Sequence, residues 1–485
     1  MHQFAIVLAL SLAPGRAEDP KPEAVDAATA EALTAFQVPG CAVVVVRGNQ
    51  TLVLKGYGKR ALGGNDPVTP DTLFPLASCT KQFTTTLLAM LVDDGALGWD
   101  DLVSKHLPAF KLSDRNANAL LSVRDLVTHR TGLGNHDLLW YRTDLTVDEA
   151  IRRAEFLPLD YPFRSGYRYN SLTFMAAGRI AAKCGKKAWE ELVRDRIAEP
   201  LEMKGLYFDS AQLPKDAEVA RGHRLTLAGK VEPMAAWAVK EPNPSGSMYA
   251  TARDLAAWLQ FHVADGIAPS GRRIVSVKPL LETRTPQNPI RLDGPAKQLF
   301  PDTALMSYAM GWTVNDHRGL KVTAHGGLID GFRVQLTLVP DRDLGFAVLT
   351  NLHDTRLPMA LTNTLIDLYC GLKPKDWNGH FRTIADEERD AKKAVLATAN
   401  PGAKPSLALK DLAGKYAHPA YGAVEVVTEG GKLAATLGPL RFPLEHFAGD
   451  VFRVSGGRFE DEFVSFVVKE GKAAGLTLVG TEFKR

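Results

Sequence analysis

The chain has 485 residues, with 58 Lys and Arg against 55 Asp and Glu, 45% hydrophobic residues and 23% charged ones. That is the balance of an ordinary folded chain, long enough for roughly three domains at about 150 residues each. It argues against disorder, a collagen-like repeat and nucleic-acid binding driven by bulk charge.

The first residues form an apolar run from Phe4 to Ala13 with one Ser inside it. A bilayer-crossing helix needs about 20 residues, so this run is too short to span. Pro14 follows, then small residues at Gly15 and Ala17 and the polar Glu18-Asp19-Pro20. Residues 1–17 therefore read as a cleaved export signal, although the only charge ahead of the apolar run is the α-amino group. The expected mature protein is exported, periplasmic or secreted, with no membrane span. The four cysteines, Cys41, Cys79, Cys184 and Cys370, lie far apart and show no metal-ligand spacing. Neither structural zinc nor a required disulfide is expected.

Alternating apolar residues and Gly turns in CAVVVVRGNQTLVLKGYG predict a β-hairpin. Over 80–94 the three- and four-residue spacing of Phe83, Leu87, Met90 and Leu91 predicts a helix, with Gly95 at its C-terminal cap. Helical signals continue through SVRDLVTH, SLTFMAAGRIAAK and TARDLAAWLQFH. From Gly311 the texture changes to short β-rich runs such as GFRVQLTLVP and GFAVLTN. Strands at both ends of a helical middle predict one α/β domain over 18–372 whose sheet is completed by the returning chain. Residues 373–404, charged and weakly helical with Pro and Gly at the ends, read as a linker. Residues 405–485 alternate short strands with Gly-rich turns, the pattern of a small all-β barrel or sandwich.

One S-x-x-K occurs, Ser78-Cys79-Thr80-Lys81, at the start of the amphipathic helix. Residues three apart on a helix share a face, so the amine can reach the hydroxyl. A serine hydroxyl is a weak nucleophile unless a neighbouring base, here an amine with a lowered pKa, takes its proton. In isolation, Ser as a helix N-cap with an unrelated surface Lys is the commoner meaning of such a tetrapeptide. Two further segments shift the weighing. RSGYRYNSLTFMAAG places Tyr169, Asn170 and Ser171 just before an apolar helix, and HGGLIDGF places His325-Gly326-Gly327 in a strand, where glycines allow another backbone close approach. A G-x-G-x-x-A at Gly56 to Ala61 has Gly63, Gly64 and Pro67 where a helix should begin, and so reads as a loop.

In this order and at these separations the three elements resemble the serine β-lactamase and penicillin-binding superfamily, most closely its branch of class C-like enzymes, esterases and D-amino-acid peptidases. DTLFPLASCTKQFT, VRDLVTHRTGL, PLEMKGLYF, SMYATARDLAAW and HGGLIDGFRVQLTLVPDRDLGFAVLTN are similar to stretches of that branch, and the resemblance runs over about 35–370. The tail, 407–483, is similar to a β-rich domain often appended to these enzymes.

The resemblance implies an antiparallel sheet flanked by helices with a mostly helical subdomain. It further implies Ser78 as the acylated nucleophile, Lys81 beside it, Tyr169 as proton shuttle and His325 in the place of a lysine. The oxyanion donors would be the backbone N–H groups of Ser78 and Leu328, and Asn170, Ser171, Gly326 and Gly327 would line the substrate. Two departures stand out. Ser171 occupies the place of an Asn in relatives, altering contact with the substrate's acyl amide. His325, titrating near pH 6.5, should bind a substrate carboxylate more weakly or with more pH dependence than lysine. Both count against an efficient β-lactamase. The sequence therefore predicts a cofactor-independent serine hydrolase of peptides, amides or esters, D-amino-acid or cell-wall-type peptides being favoured by the resemblance. A β-lactamase and a penicillin-binding or sensor-like protein without turnover are the alternatives. The oligomeric state stays open.

Overall fold

In the computed structural model, residues 18–239 and 241–485 are described. The export signal read over 1–17 lies outside the described residues. The chain begins with helix α1, Pro22–Phe36, and the predicted hairpin, β1 Gly40–Arg47 and β2 Gln50–Gly58. Every residue of β1 is buried. Ala42, Val44 and Val46 belong to one apolar core, and Cys41, Val43 and Val45 to another. A strand buried on both faces cannot alternate polar with apolar, hence the unbroken Val run.

The helical middle supplies α2 Thr80–Asp93, α3 Leu172–Gly185 and α4 Ala252–Val263, matching the predicted helical stretches. Gly95 takes φ 72° just beyond α2, the left-handed conformation its position called for. The chain then returns as β3 Asn288–Pro289, β4 Met306–Tyr308, β5 Thr313–His317, β6 Leu320–Ile329, β7 Phe332–Val339 and β8 Leu344–Thr350. The sheet order is β2-β1-β8-β7-β6-β5-β4-β3, eight strands. β1 pairs antiparallel with β8, Cys41 opposite Thr350 and Arg47 opposite Leu344, so the returning chain completes the sheet as predicted. This is the mixed α/β class read from the sequence.

β5 pairs with β6 only as far as Thr313 opposite Ala324, which leaves His325 and the residues after it without a β5 neighbour. α2 stands before that open edge. Helix α5, Leu357–Cys370, packs with α1 on the opposite face of the sheet.

The segment read as a linker contains a long helix, α6 Trp377–Ala397. Trp377, Phe381 and Ile384, spaced four and three residues apart, are buried against the α1/α5 side, and Trp377 Nε1 donates to Asp367 Oδ2 at 2.8 Å. One apolar stripe on a mostly charged helix is enough to dock it. The tail forms a closed eight-stranded barrel, β9 Gly414–His418, β10 Gly422–Glu429, β11 Lys432–Leu437, β12 Leu440–Ala448, β13 Val451–Val454, β14 Phe463–Lys469, β15 Lys472–Leu478 and β16 Thr481–Lys484. Among the described residues no helix is long and apolar enough to cross a membrane.

Candidate active site

Ser78 lies in a 3-10 turn, Ala77–Cys79, that runs directly into α2. Its side chain makes no capping bond, so it is not the N-cap serine that an isolated S-x-x-K would suggest. It is partly exposed, whereas its neighbours Ala77 and Cys79 are buried. Ala77 takes φ 46°, a left-handed conformation that costs a non-Gly residue about 1–3 kcal/mol and collects at functional sites. The surroundings hold it there: Cys79 Sγ donates to His325 O at 3.3 Å, and Gly327 of β6 lies so close that a Cβ on it would stand 2.2 Å from Leu76 O. The glycine in the strand thus admits the loop that carries Ser78.

Lys81, one helical turn on, is fully buried. Its Nζ lies 3.1 Å from Ser78 Oγ and donates to Ser245 O at 2.8 Å. The loop carrying Ser245 is pressed onto α2 and α3. Thr84 Oγ1 donates to Pro244 O at 2.7 Å, and a Cβ on Gly178 would stand 2.2 Å from the Pro244 ring. Burial pulls the Lys81 ammonium down to about 7, with the Asp137 carboxylate acting in the opposite sense. Near neutral pH a large share of Lys81 is a free amine, with a lone pair for the Ser78 proton.

Tyr169 closes the third side, its ring 4.9 Å from Lys81 Nζ. Burial raises the phenol well above its ordinary value, and the nearby Ser78 hydroxyl lowers it in part. Its buried Oη makes no hydrogen bond of normal geometry. At rest it is a protonated phenol, a proton donor and relay. Lys81 Nζ is the one of the two that carries a free lone pair near neutral pH.

Asn170 is fully buried and turned away from the cleft. Its amide nitrogen donates to the carbonyls of Leu133, at 3.4 Å, and Gly134, while its Oδ1 accepts from Thr173 N–H at 3.0 Å. It positions the 133–134 loop and the start of α3, in place of the substrate contact read for it. Ser171 is buried immediately before α3.

His325 is also buried and fully engaged. Nδ1 stands 2.7 Å from Gly326 O, which can only accept, so Nδ1 carries the proton. Nε2 then accepts from the Tyr308 hydroxyl at 3.0 Å. Burial first, and the Lys81 charge second, pull the imidazole down to about 3. It is neutral at any working pH and offers no cation to a substrate carboxylate, a stronger departure from lysine than its ordinary pKa predicted. A Cβ on Gly326 would meet Val334 O at 3.7 Å, an ordinary contact, and Leu328 keeps 39% of its surface exposed where β6 has no β5 neighbour.

Residues not singled out from the sequence complete the site. His129, at φ 54°, is fully buried, its ring 4.4 Å from Tyr169 and 4.3 Å from Tyr308. Its Nδ1 accepts from Asn170 N–H at 3.2 Å, and burial holds it neutral. Asn288 of β3 ties this loop down by donating to Thr128 O and His129 O, both at 3.1 Å. Asp137 follows, within electrostatic reach of Lys81. His129 belongs to VRDLVTHRTGL, in which no spacing marks it, and Asp137 carries no pattern at all.

A buried amine beside an accessible hydroxyl, under an open strand edge and inside this fold, defines a hydrolase of the β-lactamase fold. Residues 25–370 match the family model described as Beta-lactamase, and residues 398–485 match a domain of unknown function, DUF3471. The chain belongs to the Beta-lactamase family. It is 28% identical over 419 residues to the Unguisins hydrolase ungD' of Aspergillus campestris, covering 81% of this chain and 75% of that protein. It is 30% identical over 325 residues to Penicillin-binding protein 4 of Amycolatopsis lactamdurans, 66% of this chain and 82% of that protein. The octameric penicillin-binding protein homologue from Pyrococcus abyssi superposes with a TM-score of 0.63 at 21% identity, covering 96% of this chain and 100% of the other. The D-amino acid amidase from Ochrobactrum anthropi gives 0.56 at 24%, covering 72% and 97%.

Proposed function

We propose that the protein is an exported serine hydrolase that needs no cofactor and cleaves small peptides, amides or esters through an acyl-enzyme on Ser78. The observation that carries this is the convergence of Ser78 Oγ with a fully buried Lys81 Nζ at 3.1 Å, under an unpartnered Tyr169 hydroxyl. The free amine of Lys81 takes the Ser78 proton as Oγ bonds to the substrate carbonyl carbon. The oxyanion so formed is assigned to the backbone N–H groups of Ser78 and Leu328. As the carbon–nitrogen or carbon–oxygen bond breaks, Tyr169 protonates the leaving amine or alcohol and is reprotonated from the Lys81 ammonium. Water, losing its proton along the reverse route, then attacks the Ser78 ester, releasing the acid and restoring the hydroxyl.

Neutral His325 favours peptide, amide and ester substrates over β-lactams, whose carboxylate would meet no cation there. The names of the relatives, an unguisins hydrolase and a D-amino acid amidase among them, support amide bonds as targets, with D-amino-acid or cell-wall-type peptides as the first panel to try. The test is intact-mass spectrometry after exposure to a fluorophosphonate and to a penicillin. The natural chain should gain one adduct, and Ser78→Ala none. An adduct of unchanged yield on Ser78→Ala would overturn the assignment, and rapid nitrocefin turnover would move the substrate to β-lactams.

A further inference from the structure

A cavity of about 350 Å³ lies between the helical region and the barrel. Asp137, Trp140 and Leu328 line one side, and Tyr421, Arg458 and Thr481 of the barrel the other. The barrel is fixed in this place: the Tyr421 hydroxyl and His136 Nδ1 are 2.7 Å apart, and Arg153 donates to Ala420 O at 2.9 Å. Leu328, whose N–H is assigned to the oxyanion, is common to this cavity and to the open edge of β6.

Two carboxylates face this space, and they differ. Asp330 is saturated: Arg142 Nη2 and Arg458 Nε both donate to it at 2.7 Å, and the Tyr141 hydroxyl donates as well. Asp137 receives two neutral donors only, Trp140 Nε1 at 2.8 Å and Asn135 Nδ2 at 2.9 Å. No ion pair reaches it from any described residue, and part of its surface stays open to the cavity. Burial raises its carboxyl, opposed first by Lys81, itself drawn toward the neutral amine, and more weakly by the Arg458 guanidinium across the cavity. A carboxylate oriented by two donors, without an ion pair and on a cavity wall it shares with Leu328, is a receptor for a positive group brought by the ligand.

Resting on the acyl-enzyme reading, we propose that Asp137 binds the ammonium group of the substrate, so that the preferred acyl donors are aminoacyl amides and esters or peptides with a free α-amino group. The barrel wall sets the room left for that end of the substrate. Asp137 is thereby a specificity residue, and its field on Lys81 is a secondary effect common to all substrates.

The experiment compares D- and L-alanine p-nitroanilide with their N-acetyl derivatives and with propionyl p-nitroanilide, which lacks the amine. The natural enzyme should favour a free-amine substrate over propionyl p-nitroanilide by about 10- to 100-fold in kcat/KM, the size of one charged hydrogen bond. Asp137→Asn should bring that ratio close to one, mainly through KM of the free-amine substrates, whatever change its lost field on Lys81 makes to both substrates alike. An unchanged ratio in Asp137→Asn, an equal loss on both substrates, or a natural enzyme that prefers the N-acetyl derivative would overturn the proposal. Absence of Ser78 acylation by every member of the panel would instead overturn the hydrolase reading.

Discussion

The candidate cleft and the barrel bury their side chains on opposite terms. The barrel closes on Tyr416, Phe442, Phe452 and Phe466, all apolar or, like the Tyr416 hydroxyl bonded to Leu412 O at 2.6 Å, satisfied. The cleft buries Lys81, His129 and His325 and half-buries Tyr169, leaves Tyr169 Oη and His129 Nε2 without partners, and holds Ala77 and His129 in left-handed conformations. Buried polar atoms left unpaired cost free energy, so the cleft gives up stability that the barrel keeps. Strain gathers around the buried amine and the phenol, and among the described residues the rim of the barrel, Tyr421, Arg458 and Thr481, faces that region.

Lys81→Met breaks the comparison most sharply. It removes the proposed base and should lower kcat/KM by about 10³-fold or more. It also removes a desolvated cation, so the melting temperature should hold or rise, measured by calorimetry at pH 6 where the native amine is mostly charged. A fall in both would make Lys81 a structural residue. Because the amine is pulled down to about 7, it is active when deprotonated, so kcat/KM of the natural enzyme should climb with pH and level off above about 7.

Phe452→Ala probes the other side. The ring is buried, 5.5 Å from Phe466, and removing it should cost about 3–5 kcal/mol of barrel stability, read as an early unfolding transition. Acylation of Ser78 by a small fluorophosphonate should persist at 25 °C, because no atom of Phe452 lines the cleft cavity. Parallel loss of both would show that the two regions do not fold separately.

Periodicity carried most of the fold. The Val run of β1, the stripe of α2 and the alternation of the tail each state a burial pattern that the chain then realises. α6 was obscured because three apolar residues are diluted by charge, and their spacing matters more than their number. Of the site, Ser78 and Lys81 were legible because a helix brings residues three apart together, and Gly327 because a strand glycine signals close approach. The aim of Asn170 away from the cleft, the neutrality of His325 and the exposure of Asp137 depend on neighbours more than fifteen residues distant in sequence, such as Tyr308 and Gly134, and no local pattern encodes them.

Arg458→Gln makes the smallest change and tests whether the rim of the barrel belongs to the site. Arg458 joins Asp330, two residues beyond Leu328 at the β6–β7 turn, to the barrel at 2.7 Å, while Arg142 and Tyr141 hold the same carboxylate from the helical side. Asp330 is nearly fully buried, but Arg458 is about one-third exposed, and Arg142 still neutralises the acid when Arg458 is removed. The fold should therefore survive, with the turn less firmly held. The expected result is a loss of about three- to fivefold in kcat/KM for substrates long enough to reach the cavity, and faster amide exchange in peptides spanning 328–331. Short esters that end at the nucleophile should be unaffected. An unchanged kcat/KM on long substrates, with unchanged exchange, would make the barrel a bystander and leave the cleft complete without it.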